Sequence, residues 1–219
     1  MKLEVAESAE AAALRGARLI AEAARSAVAE RGAFSLAVSG GEAPWLMFAK
    51  LAEDDVPWEQ TEIFQVDERI APDGDPARNL THLEETLPPR ALARLRPMPV
   101  TDKDLEGAAS RYEAALPEQI DLVHLGIGPD GHTASLVPDD PVLDVTDRRV
   151  ALTASDYEGR RRMTLTYPTL AAAHRILWLV TGEDKRDALA KLLAGDPSIP
   201  AGRVEQRDGI VVSDCAATA

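Results

Sequence analysis

Residues 33–48, AFSLAVSGGEAPWLMF, carry the reading on which the fold rests. The run from Ala33 to Val38 is short and apolar throughout, the pattern of a strand buried on both faces. Ser39, Gly40 and Gly41 close it. Pro44 then suits the first turn of a helix whose apolar residues are Trp45, Leu46, Phe48 and Leu51, so the glycine turn lies between a strand and a helix.

The same alternation extends outward in both directions. Upstream, Leu14, Ala17, Ala21, Ala24 and Val28 recur at steps of three and four, which predicts an amphipathic helix over 8–31 with Gly32 as terminator. Downstream, EIFQVDE (62–68) reads as a strand and RIAPDGDPARN (69–79) as a long loop. Leu105, Ala109, Tyr112 and Leu116 fit a helix opening near Thr101, while DLVHLGIG (121–128) and ILWLV (176–180) fit buried strands. EDKRDALAKLLAG (183–195) reads as a helix capped by Thr181 and stopped by Gly195, and GIVVSD (209–214) as a last strand. Strands that are uniformly apolar, separated by helices, predict an α/β fold: a mostly parallel sheet with helices on both faces. No repeat or linker divides the 219 residues, so one domain over 1–219 is expected, although Pro88 to Pro99 could border a subdomain.

Composition narrows the function. With 45% hydrophobic and 28% charged residues the chain is globular. Its lone cysteine, Cys215, rules out an intramolecular disulfide and a thiolate metal cluster, and suits a reducing cytoplasm. The N-terminus, MKLEVAESAEAAAL, has no signal pattern, and no window approaches 18 uninterrupted apolar residues, so secretion and membrane insertion are not expected. Twenty-four Lys+Arg against 37 Asp+Glu give a net charge of −13, which repels nucleic acids and anionic membranes. A phosphorylated small molecule would need a local cluster of donors.

In open parallel sheets, ligands bind beyond the carboxyl ends of the strands. Three segments end there: Ser39-Gly40-Gly41, Asp67-Glu68-Arg69, and GIGPDGHT (126–133). Gly40 and Gly41 let the backbone approach a ligand while the next helix aims its free N–H groups at the same spot, as a phosphate requires; a plain tight turn is the alternative. A helix terminus contributes only roughly 0.3–1 kcal/mol, so cations must join it. Lys185 is the first candidate and Arg162 the second. Residues 126–131 match GxGxxG, but Asp130 would face the pyrophosphate, and Pro138 and Pro141 interrupt the helix that a dinucleotide site needs. What remains is a loop presenting Asp130 and His132. An imidazole, titrating near about pH 6.5 when unperturbed, with a carboxylate to fix its tautomer, is a general-base pair. Arg69 offers a fork of donors to an oxyanion or a phosphate. His124, inside an apolar strand, reads as a satisfied structural residue, and His82 and His174 as surface residues. Their spacing matches no zinc motif, so neither metal nor cofactor is expected.

Taken in order, AVSGGEAPW, FQVDERIAPDGDPARNL, LGIGPDGHTASLVPD, RRMTLTYPTLAAAHRILWLVTGEDKRDAL and IPAGRV resemble the 6-phosphogluconolactonases of the glucosamine-6-phosphate isomerase/6-phosphogluconolactonase superfamily, over about residues 34–204. The Gly-His-Thr-Ala-Ser-Leu run is the most specific part. The resemblance implies a fold of the sugar-phosphate isomerase and deaminase type, and hydrolysis of 6-phospho-D-glucono-1,5-lactone in the pentose phosphate pathway. It makes His132 the base, Asp130 its orienting carboxylate and Arg69 the oxyanion partner. Ser39, Gly40, Gly41 and Lys185 would grip the phosphate, with Asp67, Asn79 and Arg162 also at the substrate. The protein would act as a monomer or homodimer. Glu42 and Ala43 depart from the hydroxyl residue and proline common at those positions. The rival within the superfamily is a glucosamine-6-phosphate deaminase/isomerase, which typically continues His-Ile-Ala-Phe-Asn and carries an aromatic residue after Asp-Glu. Here Thr133-Ala134-Ser135-Leu136 and Arg69 stand instead. A non-catalytic sugar-phosphate sensor is a third reading, opposed by the intact Asp130/His132 pair.

Overall fold

The computed structural model describes residues 1–206 and 208–218. Along the chain lie β1 (Lys2–Ala6), α1 (Ala9–Arg31), β2 (Phe34–Val38), α2 (Glu42–Ala52), β3 (Thr61–Gln65), β4 (Asp67–Arg69), α3 (Asn79–Thr86), α4 (Pro89–Leu92) and β5 (Leu95–Arg96). They are followed by α5 (Leu105–Ala115), β6 (Leu122–Leu125), β7 (Val150–Leu152), β8 (Arg162–Leu165), α6 (Tyr167–Ala172), β9 (Arg175–Val180), α7 (Arg186–Ala194), β10 (Gly209–Asp214) and α8 (Cys215–Thr218). Seven strands form a parallel sheet in the order β1-β10-β9-β6-β2-β3-β5. A second sheet, β4-β8-β7, is antiparallel.

The apolar strands divide their side chains between two cores. In β9, Leu177 and Leu179 join α1 and α2 residues such as Ile20, Met47 and Phe48 on one face. Ile176, Trp178 and Val180 join α5, α7 and the small sheet on the other, through Tyr112, Leu189 and Met163. A strand covered on both faces has no polar position to spare, which is why the run shows no alternation. Helix α1 begins where the Ser8 hydroxyl accepts the Ala11 N–H at 3.1 Å and ends at Gly32, φ 79°.

Several expectations are corrected. The run 62–68 is two strands rather than one. Val66 separates them: its N–H donates to Val38 of β2 at 3.0 Å and its carbonyl accepts from Leu165 of β8 at 2.7 Å, passing the chain from the large sheet to the small one. Helix α5 opens at Leu105, not near Thr101, because the Asp104 carboxylate caps the Gly107 N–H at 3.0 Å. Thr181 caps nothing; the segment starts as a 3-10 turn, Glu183–Lys185, after Gly182, and α7 follows. Strand β6 stops at Leu125, and Gly126 to Gly128 belong to the loop. Within residues 88–99, β5 pairs with β3 inside the large sheet. Strands β1, β7 and β8 lie outside the runs read as strands: β1 is a largely exposed edge, β7 is three residues long, and β8 sets Arg162 and Thr164 beside Met163 and Leu165.

Candidate active site

From neighbouring β2 and β6 the chain departs in opposite directions, toward β3 and β5 on one side and toward β9 and β10 on the other. This is the topological switch point, where the loops after two adjacent strands open apart and leave a crevice. The turn at Ser39–Gly41 follows β2 and the loop at Gly126–His132 follows β6, so both flank one cleft of about 510 Å³. Ser39, Gly40, Gly41, Asp67, Arg69, Asn79, His132, Arg162 and Lys185 all line it; Asp130 lies behind His132.

The base loop is held by its own backbone. Gly128 N–H donates to His132 O at 2.9 Å, Gly131 N–H to Gly128 O at 2.9 Å, and Thr133 Oγ1 to Gly126 O at 2.8 Å. A Cβ on Gly128 would stand 2.0 Å from His132 Nδ1, so only glycine lets the ring fold back over the loop. Asp130 Oδ1 lies 2.6 Å from His132 Nδ1 and also accepts the His132 N–H at 3.1 Å. With a proton on Nδ1 directed at the carboxylate, Nε2 keeps its lone pair, the tautomer a general base needs. The hydrogen bond from His132 holds the Asp130 carboxyl well below the usual range, outweighing partial burial.

The opposite wall is built around buried carboxylates of β4. Glu68 is fully buried and accepts from Gln65 Nε2 and from the N–H groups of Arg69, Asn79 and Leu80, each at 2.8 Å, with Arg78 Nε 3.5 Å away. It thereby caps α3 across the long loop and sets the backbone of Arg69 and Asn79. Arg69 Nη1 donates to Asn79 Oδ1 at 2.6 Å, and Asn79 Nδ2 donates to Asp67 Oδ1 at 3.2 Å. Asp67 Oδ2 accepts from Ser135 Oγ at 2.5 Å. Gly40 leaves room for this wall: a Cβ there would meet Asn79 Oδ1 at 2.0 Å. Gly41, at φ 132°, takes a backbone conformation that side chains disfavour, and it caps α2 without a side-chain bond. Pro44 has no N–H, so the first turn of α2 offers few free donors.

The cations are present but already engaged. Arg162, almost fully buried, donates to Glu158 Oε2 at 2.7 Å and Tyr157 O at 3.2 Å. Lys185 Nζ pairs with Asp184 at 2.7 Å. Asp214 accepts the Gly182 N–H at 3.1 Å and so holds the turn that carries Lys185. Arg69, Arg162 and Lys185 share the cleft with Glu42, Asp67, Glu158, Asp184 and Asp214, so donors converge there without a positive surplus. Among buried polar atoms with no partner are Ser39 Oγ, Arg69 Nε and Arg162 Nε, all on cleft residues.

Sequence reasoning missed Tyr157, Glu158, Asp214 and Ser135. Ser135 lies within the Gly-His-Thr-Ala-Ser-Leu run, whereas Tyr157 and Glu158 sit in a segment with no apolar period and no motif. His124 is corrected in one respect. It accepts the Ser39 N–H at 3.4 Å through Nδ1, but its Nε2 has no partner, and burial pushes its pKa down to about 3, so the ring is neutral. His174 is exposed; His82 stacks on Trp45 at 5.1 Å. Among the described residues no group of three or more His, Cys, Asp or Glu side chains is arranged to hold a metal ion, and no helix is long and apolar enough to cross a membrane.

Residues 7–213 match the family described as glucosamine-6-phosphate isomerases/6-phosphogluconolactonase. The chain belongs to that family. A 6-phosphogluconolactonase of Synechocystis sp. is 35% identical over 203 residues, covering 85% of this chain and 83% of the relative. The crystal structure of a 6-phosphogluconolactonase from Shewanella baltica superposes with a TM-score of 0.87 at 26% identity, covering 98% of this chain and 97% of the other. A monomeric glucosamine-6-phosphate deaminase superposes nearly as well, TM-score 0.86 at 21% identity, covering 99% and 98%. Both branches of the family therefore share the scaffold, and the side chains of the cleft have to separate them.

Proposed function

We propose that this chain is a 6-phosphogluconolactonase, hydrolysing 6-phospho-D-glucono-1,5-lactone to 6-phospho-D-gluconate in the pentose phosphate pathway. The observation that carries the reading is one cleft lined by both His132 and the Ser39–Gly41 turn with Lys185. A lactone is an activated ester, so a positioned water, a base and an oxyanion partner suffice. His132 Nε2 takes a proton from water as the water oxygen bonds to the lactone carbonyl carbon. Asp130 holds the Nδ1 proton and stabilises the imidazolium, and Arg69 faces the oxygen that becomes negative. The intermediate collapses by breaking the bond to the ring oxygen, which receives the proton from His132. Ser39, Gly40, Gly41, Lys185 and Arg162 hold the phosphate, and Asp67 and Asn79 brace Arg69 and the sugar. In the same reading residues 1–219 are one domain, supported by two cores on the faces of one sheet. It is a cytoplasmic monomer or homodimer.

The test is a coupled assay on freshly made lactone, corrected for spontaneous hydrolysis. His132→Ala should lower kcat by roughly 10²–10⁴-fold, the contribution of a general base, and Lys185→Ala should chiefly raise KM. Wild-type turnover in the histidine variant removes the mechanism. Ammonia release from glucosamine 6-phosphate, without lactone hydrolysis, would transfer the chain to the deaminase branch.

A further inference from the structure

Tyr157 sits on a tight hairpin closed by Tyr157 N–H to Arg160 O at 3.0 Å, with Glu158 at φ 53° and Gly159 at φ 79° at its tip. Its hydroxyl donates to Asp130 Oδ2 at 3.0 Å, and the same oxygen lies 3.1 Å from His132 Nδ1. The proton on Nδ1 thus faces two acceptors, Asp130 Oδ1 and Tyr157 Oη, while the hydroxyl proton is spent on the carboxylate. The phenol ring stands edge-on to the imidazole, centroids 5.1 Å apart at 62°, and the Arg162 guanidinium lies 4.9 Å over its face. Tyr157 does not line the cleft, so it reaches the chemistry only through its neighbours.

We infer that Tyr157 is a positioning residue for lactone hydrolysis: its hydroxyl locks His132 with Nε2 free and draws charge from Asp130, setting how readily the imidazole takes a proton. The inference rests on the reading of His132 as general base. A carboxylate that accepts a second hydrogen bond has less charge to offer an imidazolium. Removing the hydroxyl concentrates that charge on Nδ1–H, favours the imidazolium, and leaves less free base at acidic pH. The hydroxyl is a donor throughout any assay range, since burial and the bond to Asp130 push its pKa up to about 12. The other charged groups that share the cleft with His132 are Arg162 and Glu158 beside the phenol, Asp67 and Arg69 from β4, and Glu42, Asp184, Lys185 and Asp214. All are retained in Tyr157→Phe, so a comparison with wild type isolates the hydroxyl.

The experiment is the pH profile of kcat/KM over about pH 5 to 8 for wild type, Tyr157→Phe, Asp130→Asn and the double variant, with His132→Ala as reference. Tyr157→Phe should move the acidic limb up by about half a pH unit, so that kcat/KM near pH 6 falls about threefold while KM stays within about twofold. In the Asp130→Asn background the same substitution should produce no further displacement. A Phe variant whose profile superposes on wild type, or moves to lower pH, overturns the inference. Loss of turnover in His132→Ala alongside that result leaves the lactonase reading intact, whereas wild-type turnover in His132→Ala removes the reading and this inference together.

Discussion

The two sheets meet at the cleft but are held together by different physics. In the seven-stranded sheet, β9 (RILWLV) is buried along nearly its whole length and is fixed by volume: Trp178 and Val180 fill one core, Leu177 and Leu179 the other. In the three-stranded sheet, β4 is Asp-Glu-Arg and is fixed by charge: Glu68 accepts four N–H groups, Asp67 accepts from Ser135 and Asn79, and Thr164 of β8 accepts the Ser135 N–H at 3.1 Å. The large sheet contributes the glycine turns together with His132, Lys185 and Asp214 to the cleft, and the small one contributes Asp67, Arg69 and Arg162. Packing tolerates no change of volume, while a buried polar network tolerates no change of hydrogen-bond valence.

The contrast can be broken at its extremes. Trp178→Ala should cost about 3–5 kcal/mol in urea unfolding, through the cavity and the stranded Gln206 side chain, yet leave kcat unchanged for the molecules that remain folded. Glu68→Gln keeps the volume but places an amide NH₂ against donors and removes the charge facing Nε of the buried Arg78, which keeps only its pairing with Asp73. A loss of about 3 kcal/mol is expected, accompanied by a fall in kcat as Arg69 and Asn79 shift. If kcat survives in Glu68→Gln or fails in folded Trp178→Ala, the division of labour between the sheets is wrong. Thr164→Val is a milder test, stranding the buried Ser135 N–H at about 1–2 kcal/mol, read by the same unfolding series.

The smallest effect sharpens the boundary between the regions, where His124 of β6 underlies the Ser39 turn. Its folded pKa, about 3, lies below the unfolded value near 6.5, so the unfolded chain binds more protons as pH falls through that window. Stability contributed by the neutral ring is present above about pH 6.5 and declines toward pH 3. Replacing His124 by Gln should remove this slope, a difference of about 1 kcal/mol by pH 6. Parallel stability–pH curves for the two proteins would show that His124 is not the titrating group.

How much of the site is legible depends on which sheet carries it. The Gly126–Thr133 loop declares itself because its glycines, its acid and its imidazole lie within a few residues and close on one another through backbone bonds. The 39–41 turn is readable for the same reason, although the room that Gly40 leaves for Asn79 is not. Arg162 drew only a weak reading and Tyr157 none, since their places are set by the pairing of β8 with β4 and β7, with no apolar period to expose it.

By itself the sequence determined the parallel sheet, its helices and the glycine turns, because burial on both faces and backbone strain act on residues close together in the chain. The tertiary structure alone decided that β4 leaves the large sheet at Val66, that Glu68 ties Arg69 to α3, and that Tyr157 reaches Asp130. Those arrangements depend on which buried donor finds which buried acceptor, and such partners can be chosen only after the chain has closed around them.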